Sequence, residues 1–242
     1  SRVRESIKSF MNVLRLREYM QPFFGLIKES EVSYFWVASG AIRDYFTTGG
    51  ITPKDIDVFF PSDIERDKVI KYLKDKGFEV EKQMPEGNTK IYLTKDKTPE
   101  EYSHIAQGEK YSYHSIDLCC WNGKKDPACV AKTPEECIKW FDYTVEMAAL
   151  DSNGEFIHHP TFEADITNKH LIRNSLKDMY VGLNIKRLFK YLKNGYTIDS
   201  INLIIWLEDQ IDTIQYRKDL KKDKEWCGSQ WCKGPRIQAP DA

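Results

Sequence analysis

The chain has 242 residues, of which 41% are hydrophobic, 13% aromatic and 30% charged, and its formal net charge is −1. This composition is typical of a folded protein with one domain, or with a catalytic lobe and a smaller helical one, and it excludes a disordered or fibrous chain. The charge balance removes the simplest argument for a nucleic-acid binder, which is a strongly basic domain.

The first predicted elements alternate between helix and strand. Helical periodicity over residues 3–20 predicts a leading helix, and the apolar run Tyr34–Ala38 predicts a buried strand that ends at a Ser39-Gly40 turn. A helix over 41–46 follows, then a loop with two glycines and a proline, then a second strand over 55–60. Ser62 and Glu65 form a capping box, which predicts a helix that ends near Gly77.

The later elements divide into strands followed by helices. We predict strands over 78–80, 91–94 and 111–118, a short helix capped by Thr133 with Pro134 at its first position, and a hairpin over 148–157 around Asn153-Gly154. Helical patterns follow over 176–194 and from 198 to about 222, with a stop at Gly195. This segregation predicts an α+β catalytic head over 1–165, a helical neck over 166–223 and an extended tail over 224–242.

Apolar residues and cysteines indicate the compartment. No stretch approaches the roughly 18 apolar residues of a membrane helix, and the first residues show no signal-peptide pattern. Six cysteines occur without a paired framework, which fits a reducing environment better than a secreted protein. We therefore expect a cytoplasmic protein without a membrane partner.

Two carboxylates lie close together on the second predicted strand. Asp55 and Asp57 are two residues apart, so both side chains leave the same face while Ile56 and Val58 point into a core. Such a pair alone is more often the solvated face of an edge strand. Like charges this close also suit a divalent cation, and Mg²⁺ prefers carboxylate and phosphate oxygens.

The position of this pair favours the metal interpretation. The strand comes just after the Ser39-Gly40 turn, where the amides at a helix N-terminus favour a phosphate group. Asp117 adds a third carboxylate on a predicted strand. Three strand carboxylates suit two metal ions, which in such sites stabilise the attacking and leaving oxygens of a displacement at phosphorus.

The motifs resemble those of a known family. The run Ser39-Gly40-Ala41-Ile42-Arg43-Asp44 followed by Asp55-Ile56-Asp57 is similar to the Gly-Gly-x-Val-Arg-Asp and Asp-x-Asp signature of tRNA CCA-adding enzymes and bacterial poly(A) polymerases. Asp142 to Ala148 looks like that family's Arg-Arg-Asp-Phe-Thr-Ile-Asn-Ala motif. His159-Pro160, Asp165-Ile166, Ile172-Arg173 and the segment from Arg187 to Asp199 resemble later landmarks in the same order.

The resemblance implies a fold and a set of site residues. The head would be a nucleotidyltransferase-fold palm, like that of polymerase beta, with a mixed sheet, and the helical neck would contact the incoming base. Two Mg²⁺ ions would be held by Asp55, Asp57 and Asp117. The nucleotide-binding residues would be Ser39, Gly40, Arg43, Asp44, Asp142, Arg173 and Arg187.

The sequence departs from the family at four places. Ser39 replaces the first glycine, Trp140-Phe141 replace the arginine pair before Asp142, and Glu146 replaces the usual asparagine. The Glu-Asp-x-x-Arg motif that reads the base would fall near 180–184 and is absent. Selection between ATP and CTP therefore does not follow from the resemblance.

The leading hypothesis is an enzyme that transfers a nucleoside monophosphate from ATP or CTP to an RNA 3′ end and releases pyrophosphate. A second hypothesis keeps this chemistry but uses a protein side chain or a small molecule as the acceptor. A third is an inactive nucleotide-binding module that has kept the fold. The sequence leaves the nucleotide, the acceptor, the oligomeric state and the role of Cys227 and Cys232 undetermined.

Overall fold

The computed structural model describes residues 2–49, 56–83, 88–92, 115–120, 130–174 and 185–208, together with 211 and 215. Seven strands form one sheet in these residues: β1 (Trp36–Ala38), β2 (Ile56–Phe59), β3 (Glu79–Gln83), β4 (Thr89–Tyr92), β5 (Ser115–Cys119), β6 (Ala148–Asp151) and β7 (Phe156–His158). Their order is β3-β4-β5-β2-β1-β6-β7. The β2–β5 pair is parallel and every other neighbouring pair is antiparallel, so the predicted mixed sheet is confirmed.

Helices cover the sheet and continue beyond it. The described helices are α1 (Arg2–Lys28), α2 (Gly40–Thr48), α3 (Asp63–Asp75), α4 (Pro134–Ile138), α5 (Phe162–Thr167), α6 (Ile185–Lys193) and a helix over 200–208, α7. None of them is both long and apolar enough to cross a membrane. Strands in the first part of the chain and helices in the last part confirm the α+β class.

The two faces of the sheet differ in how completely they are covered. A large core joins one face to helices α1, α2, α3 and α5, through strand residues such as Val37, Val58 and Ile116. On the other face a smaller cluster contains Trp36 and Phe59, packed against residues of α4. Alternation along β2 and β5 places Asp57 and Asp117 on this second face, where both side chains are only half-buried. The second face is therefore where a ligand can reach the sheet.

Side-chain caps begin two of the helices as predicted. The Ser62 hydroxyl accepts a hydrogen bond of 3.2 Å from the Glu65 amide at the start of α3, and Thr133 does the same for α4. The Glu65 carboxylate, however, does not return to its own cap. It accepts a 2.7 Å hydrogen bond from the Ser33 amide instead, so it joins α3 to the segment that leads into β1.

The helices differ from the predictions in two places. Helix α1 continues past residue 20 to Lys28 and through Pro22, because its second half is held by buried side chains such as Met20 and Phe23. In its first half the apolar side chains of Ile7 and Phe10 are exposed. Helix α5 has no counterpart among the predictions, since it is only six residues long and Thr161 makes no side-chain cap.

Several predictions lie outside the described residues. These are Asp55, the segment 111–114, the positions 180–184 of the missing base-reading motif, and the tail over 224–242. The hairpin around Gly154 is confirmed, with Gly154 at φ 84°. The predicted division into head, neck and tail stays a prediction.

Candidate active site

Asp57 and Asp117 lie side by side on the parallel strands β2 and β5. They are direct partners in the register of that pair, so their side chains leave the same face of the sheet. Both are half-buried. The sequence places the two aspartates 60 positions apart, and the parallel pairing brings them together.

A lysine continues the same row on the next strand. Lys90 of β4 is the cross-strand partner of Asp117, and its Nζ lies 3.6 Å from Asp117 Oδ2. The two side chains are 23% and 27% exposed. The row Lys90, Asp117, Asp57 therefore places one positive charge beside two negative charges on an accessible part of the sheet.

The electrostatic effect of the aspartate pair reaches the thiol of Cys119. Burial raises the pKa of Cys119 well above its ordinary value, and the negative charges of Asp57 and Asp117 raise it further. Burial also raises the pKa of Cys137, to about 12. Both thiols are therefore protonated at neutral pH, and neither is prepared to act as a nucleophile or a metal ligand.

The donor set fits a hard divalent cation. Asp57 and Asp117 offer carboxylate oxygens, the ligands that Mg²⁺ prefers, and their mutual repulsion falls when a cation lies between them. The described residues hold no group of three or more acidic, histidine or cysteine side chains that could bind a metal. Asp55, the expected third ligand, lies outside those residues, so its role stays a prediction.

The Ser39-Gly40 turn begins α2 beside this row. β1 pairs with β2 through Trp36–Phe59 and Val37–Val58, and continuing that register brings Ala38 level with Asp57. Ser39 has φ 65° and ψ −123°, and its hydroxyl caps none of the helix amides. A positive φ favours glycine, which gives a physical reason for the glycine that the resembling family has at this position.

Arg43, one turn into α2, is held in a buried network. Its guanidinium forms an ion pair of 2.8 Å with Asp44 and donates a hydrogen bond to the hydroxyl of Tyr191 on α6. Glu146 Oε1 lies 3.6 Å from it. Burial by itself lowers the pKa of Arg43, but Tyr191, Asp44 and Glu146 raise it above its ordinary value, so the charge is permanent.

Asp142 and Arg187 form the second half of this network. Arg187 Nη1 lies 2.6 Å from Asp142 Oδ2, and the Asp142 side chain is only 1% exposed whereas that of Arg187 is 41% exposed. Asp142 and Glu146 are four residues apart, as are Arg187 and Tyr191. Arg187 binds Asp142 and Tyr191 binds Glu146, so two contacts join α6 to the segment 142–146.

Glu146 and Tyr191 are site residues that the motif comparison did not select. The Tyr191 hydroxyl donates a 2.7 Å hydrogen bond to Glu146 Oε1, whereas Oε2 of Glu146 is buried without a hydrogen-bond partner. Burial raises the pKa of Tyr191, and Glu146 raises it further. The spacing of four residues from Asp142 and from Arg187 is the sequence signal that could have identified both.

Arg173 lies in the segment between α5 and α6, outside any helix. It forms an isolated antiparallel bridge with Tyr143, and its amide donates a 3.1 Å hydrogen bond to Asn202 Oδ1. The neighbouring Asn174 amide donates to the Asp142 carbonyl. Arg173 is therefore beside Asp142 in the fold, while its predicted contact with a nucleotide stays a prediction.

The fold is similar to that of several solved tRNA-processing nucleotidyltransferases. The CCA-adding enzyme of Bacillus stearothermophilus in complex with CTP is 15% identical, with a TM-score of 0.50 over 75% of this chain and 41% of that one. The Thermotoga maritima CCA-adding enzyme in complex with tRNA is 15% identical, with a TM-score of 0.53 over 78% of this chain and 40% of that one. A tRNA nucleotidyltransferase in complex with a primer tRNA and an ATP analogue is 13% identical, with a TM-score of 0.52 over 83% of this chain and 52% of that one. The chain spans about half or less of each of these proteins.

The sequence itself matches one protein family. The family profile described as Gabija anti-defense 2 family protein covers residues 3–169, which includes both aspartates and α1 to α5. A search among curated proteins found no match. The solved structures establish the nucleotidyltransferase fold, and at this level of identity they establish the fold alone.

Proposed function

The chain belongs to the Gabija anti-defense 2 family, and we propose that it is a metal-dependent nucleotidyltransferase. It transfers a nucleoside monophosphate from a nucleoside triphosphate to an acceptor hydroxyl. One observation carries the proposal: Asp57 and Asp117 are direct partners on adjacent parallel strands of a nucleotidyltransferase fold. A purely structural role gives no reason for two aspartates to share one accessible face, because like charges directly opposite each other destabilise a sheet.

The chain supplies position and charge for the transfer. The acceptor oxygen bonds to the α-phosphorus, the bond from that phosphorus to its bridging oxygen breaks, pyrophosphate leaves with the electron pair, and the hydroxyl proton passes to water. Asp57, Asp117 and, by prediction, Asp55 would hold the divalent cations, which would neutralise charge on the phosphates. The amides at the start of α2 lie near the end of β2 that carries Asp57, and amides at a helix N-terminus suit a phosphate group.

A buried network holds Arg43 and Arg187, which are two of the residues predicted to bind the nucleotide. Arg43 and Arg187 are held by Asp44, Glu146 and Asp142, so their positions are fixed before a nucleotide enters. Preorganised charges of this kind stabilise a transition state without a reorganisation cost. We propose that both arginines face the nucleotide through the donors that these carboxylates do not use.

An RNA 3′ end is the first candidate acceptor. The structures with this fold contain CTP, an ATP analogue and tRNA, and the ordered motifs continue through the neck. For this chain, binding to RNA should weaken steeply with salt, because phosphate contacts release counterions.

A protein hydroxyl is the second candidate, and the charge of the chain favours it. The formal net charge is −1, whereas a nucleic-acid-binding domain is usually strongly basic. The family is named for action against Gabija defense. We propose that the transfer serves that action, with a component of the defense system as the modified partner if RNA is not labelled.

The test offers each α-labelled nucleoside triphosphate with Mg²⁺ to purified protein, together with either cellular RNA or Gabija proteins. Separation of RNA from protein then identifies the labelled polymer. Asp57→Asn and Asp117→Asn should each abolish labelling. Asp75→Asn is the matched control, because Asp75 is an exposed carboxylate on α3, on the opposite side of the sheet.

Melting temperatures show whether a variant has lost activity because it no longer folds or because it no longer binds metal. The two active-site variants should melt at or slightly above the wild-type temperature without metal, since each removes one of two repelling charges. Mn²⁺ should raise the melting temperature of the wild type and not of the variants, because a ligand stabilises only the state that binds it. Undiminished labelling by either variant would overturn the proposal.

A further inference from the structure

The first half of α1 exposes a stripe of apolar side chains. Val3, Ile7 and Phe10 are all exposed, Phe10 to 61%. They are spaced four and three residues apart, so they lie on one face of the helix. The side chains that α1 buries in the core, such as Leu16 and Met20, lie on a different face. The stripe is therefore apolar surface that the core of the head does not use.

Helix α7 has the same arrangement. Ile201, Ile204 and Leu207 are exposed, Ile201 to 71%, whereas Trp206 is buried in the large core. Ile211, which is also helical and exposed, continues the stripe by the same spacing. A surface helix normally has a polar face opposite its buried one. Contiguous apolar stripes on that side mark interaction surfaces.

The charges around the two stripes are opposite in sign. Residues 2–18 carry five basic and two acidic side chains, a formal charge of +3, and residues 199–215 carry four acidic and no basic ones, a formal charge of −4. The basic set includes Arg4 and Lys8, which are exposed and one turn apart beside the α1 stripe. The acidic set includes Glu208, which is exposed and one turn after Ile204.

This charge pattern determines which stripes can meet. Two α1 stripes from different copies would bring positive charges together, and two α7 stripes would bring negative charges together, so like charges disfavour both pairings. An α1 stripe against an α7 stripe brings opposite charges together and removes apolar surface from water on both sides. The α7 helix of a second copy is therefore the partner that fits α1 in both respects.

We propose that α1 of one copy docks on α7 of a second copy of the chain. Each copy offers one α1 and one α7, so the contact closes when two copies exchange these helices reciprocally. Reciprocal exchange doubles the buried surface, and stable interfaces bury about 1,200–2,000 Å² in total. The contact uses none of the candidate active-site residues, so it is independent of the proposed function.

The test measures the mass of the whole chain by sedimentation equilibrium at low ionic strength, where charge pairs are least screened. One variant carries Ile7→Gln and Phe10→Gln and changes only the α1 stripe. A second carries Ile201→Gln and Ile204→Gln and changes only the α7 stripe. Ile64→Gln is the control, because Ile64 is an exposed isoleucine on α3. Circular dichroism verifies that each variant is folded.

The wild type and Ile64→Gln should form dimers, whereas each stripe variant should self-associate at least about tenfold more weakly. An equimolar mixture of the two stripe variants should associate more strongly than either variant alone, because only the mixture contains an intact α1 and an intact α7 on different copies. Pairing of α1 with α1, or of α7 with α7, would instead leave one of the two variants as dimeric as the wild type.

Charge reversal tests the electrostatic part of the contact. Arg4→Glu with Lys8→Glu should weaken dimerisation, and adding Glu208→Lys should recover part of the loss. Lys71→Glu with Lys74→Glu, at two exposed lysines of α3, makes the same change in net charge and should have little effect. A wild type that stays monomeric at its highest soluble concentration overturns the proposal. So does wild-type dimerisation by either stripe variant, or a mixture that associates no better than its components.

Discussion

Replacing Arg187 by methionine should destabilise the protein by leaving Asp142 buried without its cation. The Arg187–Asp142 contact is 2.6 Å long, and Asp142 is 1% exposed. Losing a hydrogen bond to a charged group costs about 1.5–3 kcal/mol, and breaking a fully buried ion pair costs about 3–5 kcal/mol. Because Arg187 is 41% exposed, water can enter the vacated position, and we expect a loss of about 2–3 kcal/mol.

Urea unfolding measures this loss directly. The free energy of unfolding should fall by that amount without a change in the slope against denaturant, and the melting temperature should fall by about 4–12 °C for a domain of this size. Lys190→Met is the control, since Lys190 is an exposed lysine on the same helix. It should change stability by less than about 0.5 kcal/mol.

A double variant identifies the cause. Asp142→Asn in the Arg187→Met background removes the buried negative charge, so it should recover part of the lost stability, and the two substitutions should be strongly non-additive. If Arg187→Met is as stable as Lys190→Met, or if the two substitutions are additive, the ion pair does not join α6 to the head.

Three other predictions concern a strained turn, two buried thiols and one carboxylate. Ser39→Gly should raise the free energy of unfolding by about 1 kcal/mol, because relief of the strain at φ 65° outweighs the added freedom of the unfolded chain. Ser39→Ala should give no such increase, and thermal melting distinguishes the two variants. Cys119 and Cys137 should react with a thiol reagent at pH 8 only as the protein unfolds, since burial raises both pKa values; rapid labelling of the folded protein would contradict this. The hydrogen bonds from Lys68 and Ser33 lower the pKa of Glu65 below its ordinary value of 4.5. The contribution of Glu65 to the free energy of unfolding should therefore be complete above pH 4.5 and should be lost as the pH falls through the lowered pKa. Glu65→Gln should remove that part of the pH dependence of unfolding.

Local patterns predicted the elements that carry the site. The apolar run before Ser39, the turn and the alternation around Asp57 each depend on a few neighbouring residues, and the structure has β1, α2 and β2 there. The capping residues Ser62 and Thr133 similarly fix where α3 and α4 begin. Such signals are readable because their physical causes lie within one or two turns of chain.

Non-local pairing could not be predicted in the same way. Nothing near Asp117 indicates that its neighbours are Asp57 on one side and Lys90 on the other, because that depends on the order of strands in the sheet. The resemblance supplied the aspartates but not the lysine. The partners of Arg43 likewise come from α6 and from the turn at Glu146, and no local rule joins them.

In the proposed reaction, transfer of a nucleoside monophosphate depends on the Asp57–Asp117 pair. The most direct measurement quantifies pyrophosphate release and labelled acceptor from the same α-labelled nucleotide, in the wild type and in the Asp57→Asn/Asp117→Asn double variant. We predict one pyrophosphate for each nucleotide transferred, and a rate at least about 100-fold lower in the double variant. Transfer at the wild-type rate by the double variant, or release of pyrophosphate without any labelled acceptor, would contradict the claim.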